Sequence, residues 1–167
     1  MVFIGLGSNL GDGRALLREA TGRLSAYGTV LGESRYMESE PWGFESPNRF
    51  TNAVIAFQTE LQPLELLEHT QRIEREMGRT HKRNSDSEAY SDRTIDIDLL
   101  LWDDLVIDTP RLRIPHPHIR ERAFVTEPLA ELFQRFGISK YRDNEISRCR
   151  NNETTILKQK YNYEIFS

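Results

Sequence analysis

The chain has 167 residues, 22 of them Lys or Arg and 26 Asp or Glu, for a formal charge of −4. Its length suits one domain of about 100–200 residues. With 38% hydrophobic and 29% charged residues it can fill a core beneath a solvated surface, but no global positive field exists to hold a long polyanion, so any phosphate site must be local.

Val2 to Ser8 form a short apolar run that enters the turn Asn9-Leu10-Gly11-Asp12, the pattern of a strand leading into a loop. Polar residues Asp12 and Arg14 follow too soon for a signal-peptide apolar core, and no stretch approaches the ~20 apolar residues of a membrane span. Leu16, Leu17, Ala20 and Leu24 recur at helical spacing between Gly13 and Tyr27, with Gly28 as a stop. Val30 to Glu38 reads as a weak strand. The segment from Ser39 to Asn48, with two prolines and two aromatics, reads as an ordered loop. Phe50 to Thr59 alternates as a strand, placing Phe50, Asn52, Val54 and Ala56 on one face.

After Pro63, Leu64, Leu67, Ile73 and Met77 mark a helical stripe that ends at Gly78. The polar stretch from Arg79 to Asp92 reads as a mobile loop, and a strand runs from Thr94 to Leu101. The order strand, helix, strand, strand, helix, strand matches the split βαβ arrangement of ferredoxin-like α+β folds. A small hairpin from Asp103 to Ile107 and a short helix from Thr126 to Phe133 come next. The expected division is a core over 1–135 and an extension over 136–167, with no repeat to suggest a second domain. Cys149, the single cysteine, can form no internal disulfide, which fits a reducing, cytoplasmic setting.

Within the strand Thr94–Leu101, successive side chains point to opposite faces, so Ile95, Ile97 and Leu99 face one way and Thr94, Asp96 and Asp98 the other. Two carboxylates about 6–7 Å apart at their backbones raise each other's pKa unless a cation compensates. Mg²⁺ fits, because it commonly takes one or two carboxylates and completes its octahedron with water and substrate phosphates. A solvated sheet edge, or pairing with neighbouring arginines, is the alternative.

Arg79, Lys82, Arg83 and Arg93 precede the acidic pair, while Arg113, His116, His118, Arg120 and Arg122 come after it. Cations gathered around two carboxylates suit a nucleoside triphosphate bridged by Mg²⁺, although Arg79–Arg83 alone reads equally as a solvated charge run. His116 and His118, alternating with Pro115 and Pro117, lack the further ligands of a tetrahedral zinc site, so a phosphate contact is the better reading of His116. The GLGSNLG stretch lacks both the P-loop lysine and the Rossmann spacing, and reads as a tight turn beside a site.

Five segments in order, GLGSNLGD (Gly5–Asp12), FTNAV (Phe50–Val54), HTQRIEREMGR (His69–Arg79), DRTIDIDLLL (Asp92–Leu101) and IPHPHIRERAFVTEPLAEL (Ile114–Leu132), closely resemble 6-hydroxymethyl-7,8-dihydropterin pyrophosphokinase. The resemblance covers Val2 to about Leu132. It implies a ferredoxin-like α+β βαββαβ sandwich with extra C-terminal elements, and transfer of the β,γ-pyrophosphoryl unit of ATP to the hydroxymethyl oxygen of the pterin, releasing AMP. It further implies two Mg²⁺ ions on Asp96 and Asp98, and ATP phosphate contacts from Arg79, Lys82, Arg93, His116 and Arg122, with Gln71 and Glu74 near the nucleotide. Asn52 would meet the polar edge of the pterin, helped by Ser39 and Trp42, between the rings of Phe50 and Phe124. Arg79, Arg93, Asp96 and Asp98 would carry the reaction, in a monomer without nucleic-acid or membrane partners.

The sequence departs from the family pattern at Ser91-Asp92, where many members have Gly-Pro, at Tyr90 in place of a frequent tryptophan, and at Pro117. The loop Thr80–Asp92 also looks a few residues longer than in compact members. Loops around Trp42 and over Thr80–Asp92 are expected to close on the bound substrates. Two other functions compete: a two-metal nucleotidyltransferase, opposed by the distance of Ser8 from Asp96, and a ferredoxin-like RNA-binding module, opposed by the acidic balance.

Overall fold

A computed structural model describes residues 1–78 and 92–138 of the chain. β1 (Val2–Ser8) is buried along nearly its whole length because it lies inside the sheet, paired antiparallel with β4 (Phe50–Gln58) on one side and β5 (Asp96–Trp102) on the other. β2 (Thr29–Glu33) and β3 (Met37–Ser39) both pair antiparallel with the far side of β4. The resulting order, β2 and β3, then β4, β1 and β5, is that of the ferredoxin-like fold.

The single strand expected from Val30 to Glu38 is therefore two short ones. The break falls at buried Ser34, whose N–H donates to the Val54 carbonyl at 2.9 Å while its hydroxyl accepts from the Val54 N–H at 3.0 Å. A side chain thus replaces one backbone rung of the ladder. Ser39, expected in the following loop, instead ends β3 opposite Phe50.

α1 (Gly13–Leu24) starts on Asp12, whose carboxylate accepts from the Ala15 N–H at 3.1 Å, and it stops short of the expected Tyr27. α2 (Pro63–Glu76) opens with Pro63 at its first position and with the Glu65 carboxylate accepting from the Gln62 N–H at 2.8 Å. Its buried stripe runs through Leu66, Thr70 and Ile73, with Leu67 and Met77 partly buried. Leu64, expected in that stripe, is 40% exposed. Two residues ahead of Leu66 it lies roughly 200° around the helix, on the solvent side.

Both helices cover one face of the sheet, over Val2, Ile4 and Leu6 of β1, Ala53, Ile55 and Phe57 of β4, and Ile97 and Leu99 of β5, with Ile95 just ahead of it. The opposite face is covered in part by α3 (Ala123–Arg135), whose Val125, Leu129 and Leu132 pack on Phe3, Val54, Ala56, Leu100 and Leu101. Strict alternation fails at Leu100: the register passes from Ile4↔Leu99 to Phe3↔Leu101, and this bulge turns two consecutive leucines toward α3. α3 starts three residues before the expected Thr126.

The small hairpin lies later than Asp103–Ile107. It joins β6 (Ile107–Asp108) to β7 (Arg113–Ile114), while Asp103, at φ 41°, turns the chain after β5. None of the described helices is long and apolar enough to cross a membrane.

Candidate active site

The part of the sheet not covered by α3 forms the floor of a cleft, and its layout is set by strand register. Gly7 of β1 sits between Asn52 of β4 and Asp96 of β5; Gly5 sits between Val54 and Asp98. Two parallel rows therefore cross three strands, with a glycine at the centre of each. A Cβ at Gly7 would lie 3.2 Å from Asn52 Oδ1, and one at Gly5 would lie 3.3 Å from Leu100 Cδ1. The glycines keep the middle of the floor bare between an amide on one side and two carboxylates on the other. With strands about 4.8 Å apart, the two flanks are roughly 10 Å apart at their backbones.

GLGSNLG is not the tight turn its glycines suggest. Gly5 and Gly7 belong to extended β1, and the turn begins at Asn9, with Gly11 at φ 66°. Spacing of two inside a strand was the available signal, since it leaves one face without side chains.

Asp96 and Asp98 do share the cleft face, as alternation required, and each has an arginine beside it. Arg93 Nη1 stands 3.7 Å from Asp96 Oδ2, and Arg122 Nη1 stands 3.9 Å from Asp98 Oδ2. These are charge contacts too long for hydrogen bonds. The Asp96 and Asp98 side chains are 14% and 20% exposed, so their oxygens are reachable from the cleft. Among the described residues no three His, Cys, Asp or Glu side chains gather around a point that could hold a metal. Two carboxylates alone fit Mg²⁺ on donor chemistry, because that ion takes its remaining oxygens from water and phosphate.

The opposite flank is arranged for a flat polar ring. Asn52 Nδ2 donates to the Met37 carbonyl at 3.2 Å and to Ser39 Oγ at 3.0 Å, which turns Oδ1 toward the Gly7 floor as an acceptor. Phe50, Phe124, Trp42 and Glu40 complete the lining with Ser39. The Arg93 guanidinium carbon lies 5.3 Å from the Phe50 ring centre, and that of Arg122 lies 4.4 Å from Trp42 and 5.9 Å from Phe124. The space between these walls, counting its solvent-open mouth, is about 560 Å³.

Of the sequence-derived site residues, the cleft gathers Ser39, Trp42, Phe50, Asn52, Arg93, Asp96, Asp98, Arg122 and Phe124. Three others stand apart from its lining. Glu74 is buried on α2, and its Oε1 accepts from the Ile97 N–H at 2.8 Å, along the edge of β5 that faces away from β1. The His116 N–H donates to the Leu100 carbonyl at 2.9 Å, and Gln71 is exposed on α2. Arg79 and Lys82, with most of the loop Thr80–Asp92, lie outside the described residues.

Sequence reasoning missed one junction entirely. Asp92 accepts hydrogen bonds from Asn9 Nδ2 at 2.7 Å, from Asn48 Nδ2 at 2.9 Å and from the Ser46 hydroxyl. Asn9 Oδ1 in turn accepts from the Arg93 N–H at 2.8 Å. The hydrogen bond from Ser46 is the largest cause holding the Asp92 carboxyl below its ordinary range, with burial opposing and Asn9, Asn48 and Arg93 assisting. These partners lie far apart in the chain, beyond the reach of any short-range pattern.

The ferredoxin-like sheet thus sets an acidic pair and two arginines beside an amide-edged aromatic slot, and the matching family is one of phosphate-transferring enzymes, the pyrophosphokinases. Residues 3–134 match the family model described as 7,8-dihydro-6-hydroxymethylpterin-pyrophosphokinase (HPPK). The chain is similar to the 2-amino-4-hydroxy-6-hydroxymethyldihydropteridine pyrophosphokinase of Porphyromonas gingivalis, 48% identical over 134 residues, or 79% of this chain and 90% of that protein. The Bacillus subtilis protein of the same name is 41% identical across 80% of this chain and 78% of its own. That of Aquifex aeolicus is 38% identical, over 78% and 79%. Among solved structures, Plasmodium falciparum HPPK-DHPS with pterin and p-hydrobenzoate superposes with a TM-score of 0.60 at 16% identity, which speaks to the fold alone. It covers 98% of this chain, and this chain spans 46% of that one. The chain belongs to the HPPK family.

Proposed function

We propose that this protein is an ATP-dependent pyrophosphokinase that moves the β,γ-pyrophosphoryl unit of ATP to 6-hydroxymethyl-7,8-dihydropterin, in the biosynthesis of folate. Membership of the HPPK family over residues 3–134 carries this reading, and it favours neither a nucleotidyltransferase nor an RNA-binding module. In the reaction a bond forms between the pterin hydroxymethyl oxygen and the β-phosphorus. The bond from that phosphorus to the oxygen bridging the α-phosphorus breaks, AMP leaves with the bridging oxygen, and the hydroxyl proton passes to solvent.

The cleft suggests how its residues divide the work. Asn52 Oδ1 accepts from the N–H groups on the pterin's polar edge, with Ser39 fixing the amide and Phe50 and Phe124 as stacking faces. The bare strip at Gly5 and Gly7 lets the ring lie against backbone, so its hydroxymethyl arm extends toward β5. Asp96 and Asp98 are the assigned holders of two Mg²⁺ ions, which when bound neutralise phosphate charge and align the triphosphate. Arg93 and Arg122, already beside these carboxylates, can turn guanidinium donors to phosphate oxygens and spread the charge that develops on transfer. Alignment and charge neutralisation supply most of the acceleration in such transfers, so no general base is assigned. Arg79, Lys82 and His116 are proposed as further phosphate contacts, and Gln71 and Glu74 as neighbours of the nucleotide. One chain supplies both flanks of the cleft, in keeping with a monomer working on small molecules in the cytoplasm.

The decisive assay incubates the protein with ATP, Mg²⁺ and 6-hydroxymethyl-7,8-dihydropterin and identifies products by mass spectrometry. AMP together with a diphosphorylated pterin is the expected result. Release of free pyrophosphate, or no pterin-dependent AMP, would overturn the reading.

A further inference from the structure

The segment between β3 and β4, residues 40–49, presents Glu40 and Trp42 to the cleft, and it is held at both ends. Near the cleft, the Trp42 ring lies 4.4 Å from the Arg122 guanidinium carbon. At its base, Asn48 Nδ2 and the Ser46 hydroxyl both donate to the Asp92 carboxylate, and the Asn48 N–H donates to Ser46 Oγ at 3.1 Å. Asp92 is thereby joined to a loop 44 residues away and, through Asn9, to the turn after β1. Arg93, the next residue, has its N–H and its carbonyl bonded to Asn9 Oδ1 and the Asn9 N–H, while its guanidinium faces Asp96 and Phe50.

We infer that Asp92 is a positioning residue: its carboxylate fixes the base of the 40–49 loop to the backbone that carries Arg93, so that the pterin wall and the phosphate-facing arginine are presented together. This rests on the proposed pyrophosphokinase reaction for its kinetic consequence but not for its structural one. Hydrogen bonds to an ionised acceptor are stronger than those between neutral groups, and this acceptor takes three in place of water. Ordering the loop before the substrate arrives lowers the entropy lost on binding.

The test uses Asp92→Ala, Asn48→Ala and the double substitution in the full chain, read in two ways. In substrate-free protein, hydrogen exchange of peptides covering residues 40–49 should quicken in each variant, while peptides from α2 and β4 stay unchanged. In the steady-state assay the KM for pterin should rise about tenfold, as expected for a lost charge-assisted hydrogen bond, with kcat within about threefold of the parent. The two effects should fall short of additive, because the hydrogen bond that Asn48→Ala removes is one of the three that Asp92→Ala removes. Asn48→Ala keeps the test valid should Asp92→Ala fold poorly. Unchanged loop exchange in Asn48→Ala, exchange that quickens throughout the protein, or fully additive effects on KM would overturn the inference. Absence of pterin-dependent AMP in the parent protein would count against the reaction alone, leaving the exchange result to decide the positioning role.

Discussion

Asp98 and Gly7 are the side chain and the missing side chain that separate chemistry from folding in this cleft. Asp98 is 20% exposed at the cleft with Arg122 in charge contact at 3.9 Å, so its loss bears on the electrostatics of the site more than on hydrophobic packing. Asp98→Ala is expected to lower kcat by about a hundredfold or more, as when an electrostatic element of a transfer site is lost, while the urea midpoint moves only slightly. Equal losses in both measurements would return the residue to a structural role. Gly7→Ala should behave differently. The new methyl meets Asn52 Oδ1 at 3.2 Å, and that amide is tied to Met37 and Ser39 and cannot easily give way. The expected outcome is a raised pterin KM with ATP binding preserved, which titration calorimetry with each ligand separately can check. Asp92 sets a pH dependence whose sign is fixed by its depressed pKa. Its stabilising contribution is fully present above the unfolded carboxyl value of roughly 4 and disappears as pH falls through the lower folded value. The stability gap between the parent and Asp92→Ala should therefore be constant from pH 7 to about pH 5 and narrow below pH 4 in urea titrations.

At the scale of elements, the outer edge of β5 is closed by a side chain. Among the described residues that strand pairs only with β1, and its Ile97 N–H is satisfied by the buried Glu74 carboxylate from α2. Glu74→Ala is expected to destabilise the protein by about 1–3 kcal/mol by stranding that donor, while Glu74→Gln, which keeps an acceptor oxygen, should retain most of the stability. If Glu74→Gln also keeps the parent KM for ATP, the residue is a strand-edge cap and not a nucleotide contact. Much of this architecture was legible in the sequence. Period-2 alternation placed Asp96 and Asp98 on one face, and the element order gave the ferredoxin-like sheet. The failures have local physical causes. Ser34 breaks one expected strand because a hydroxyl can stand in for a backbone partner. The Leu100 bulge defeats alternation because one extra residue reverses the facing of the residues beyond it. Leu64 looked like core because leucine is apolar, yet its angle on α2 points it to water. The Asp92 junction could not be read at all, since hydrogen bonds between residues 83 positions apart leave no periodic trace.

Taken whole, the molecule separates support from chemistry across a single sheet. Among the described residues, α1 and α2 bury one face, α3 covers part of the other, and the uncovered remainder is the cleft. The overall charge of −4 is opposite in sign to Arg93 and Arg122, which line it, so under the proposed reaction these two arginines are where the triphosphate would be attracted. The described segment proposed to move is the rim loop 40–49. On adding a non-hydrolysable ATP analogue together with the pterin, exchange in residues 40–49 should slow while the sheet is unaffected; unaltered exchange there would rule out closure by this loop. The two glycines of β1 carry one more implication, for inhibition. At Gly5 and Gly7 a compound resting on that strip would meet peptide backbone, which no codon change can chemically alter. Resistance from these two positions would have to come from added bulk, and with the pterin seated as proposed, that bulk would obstruct the natural substrate as well.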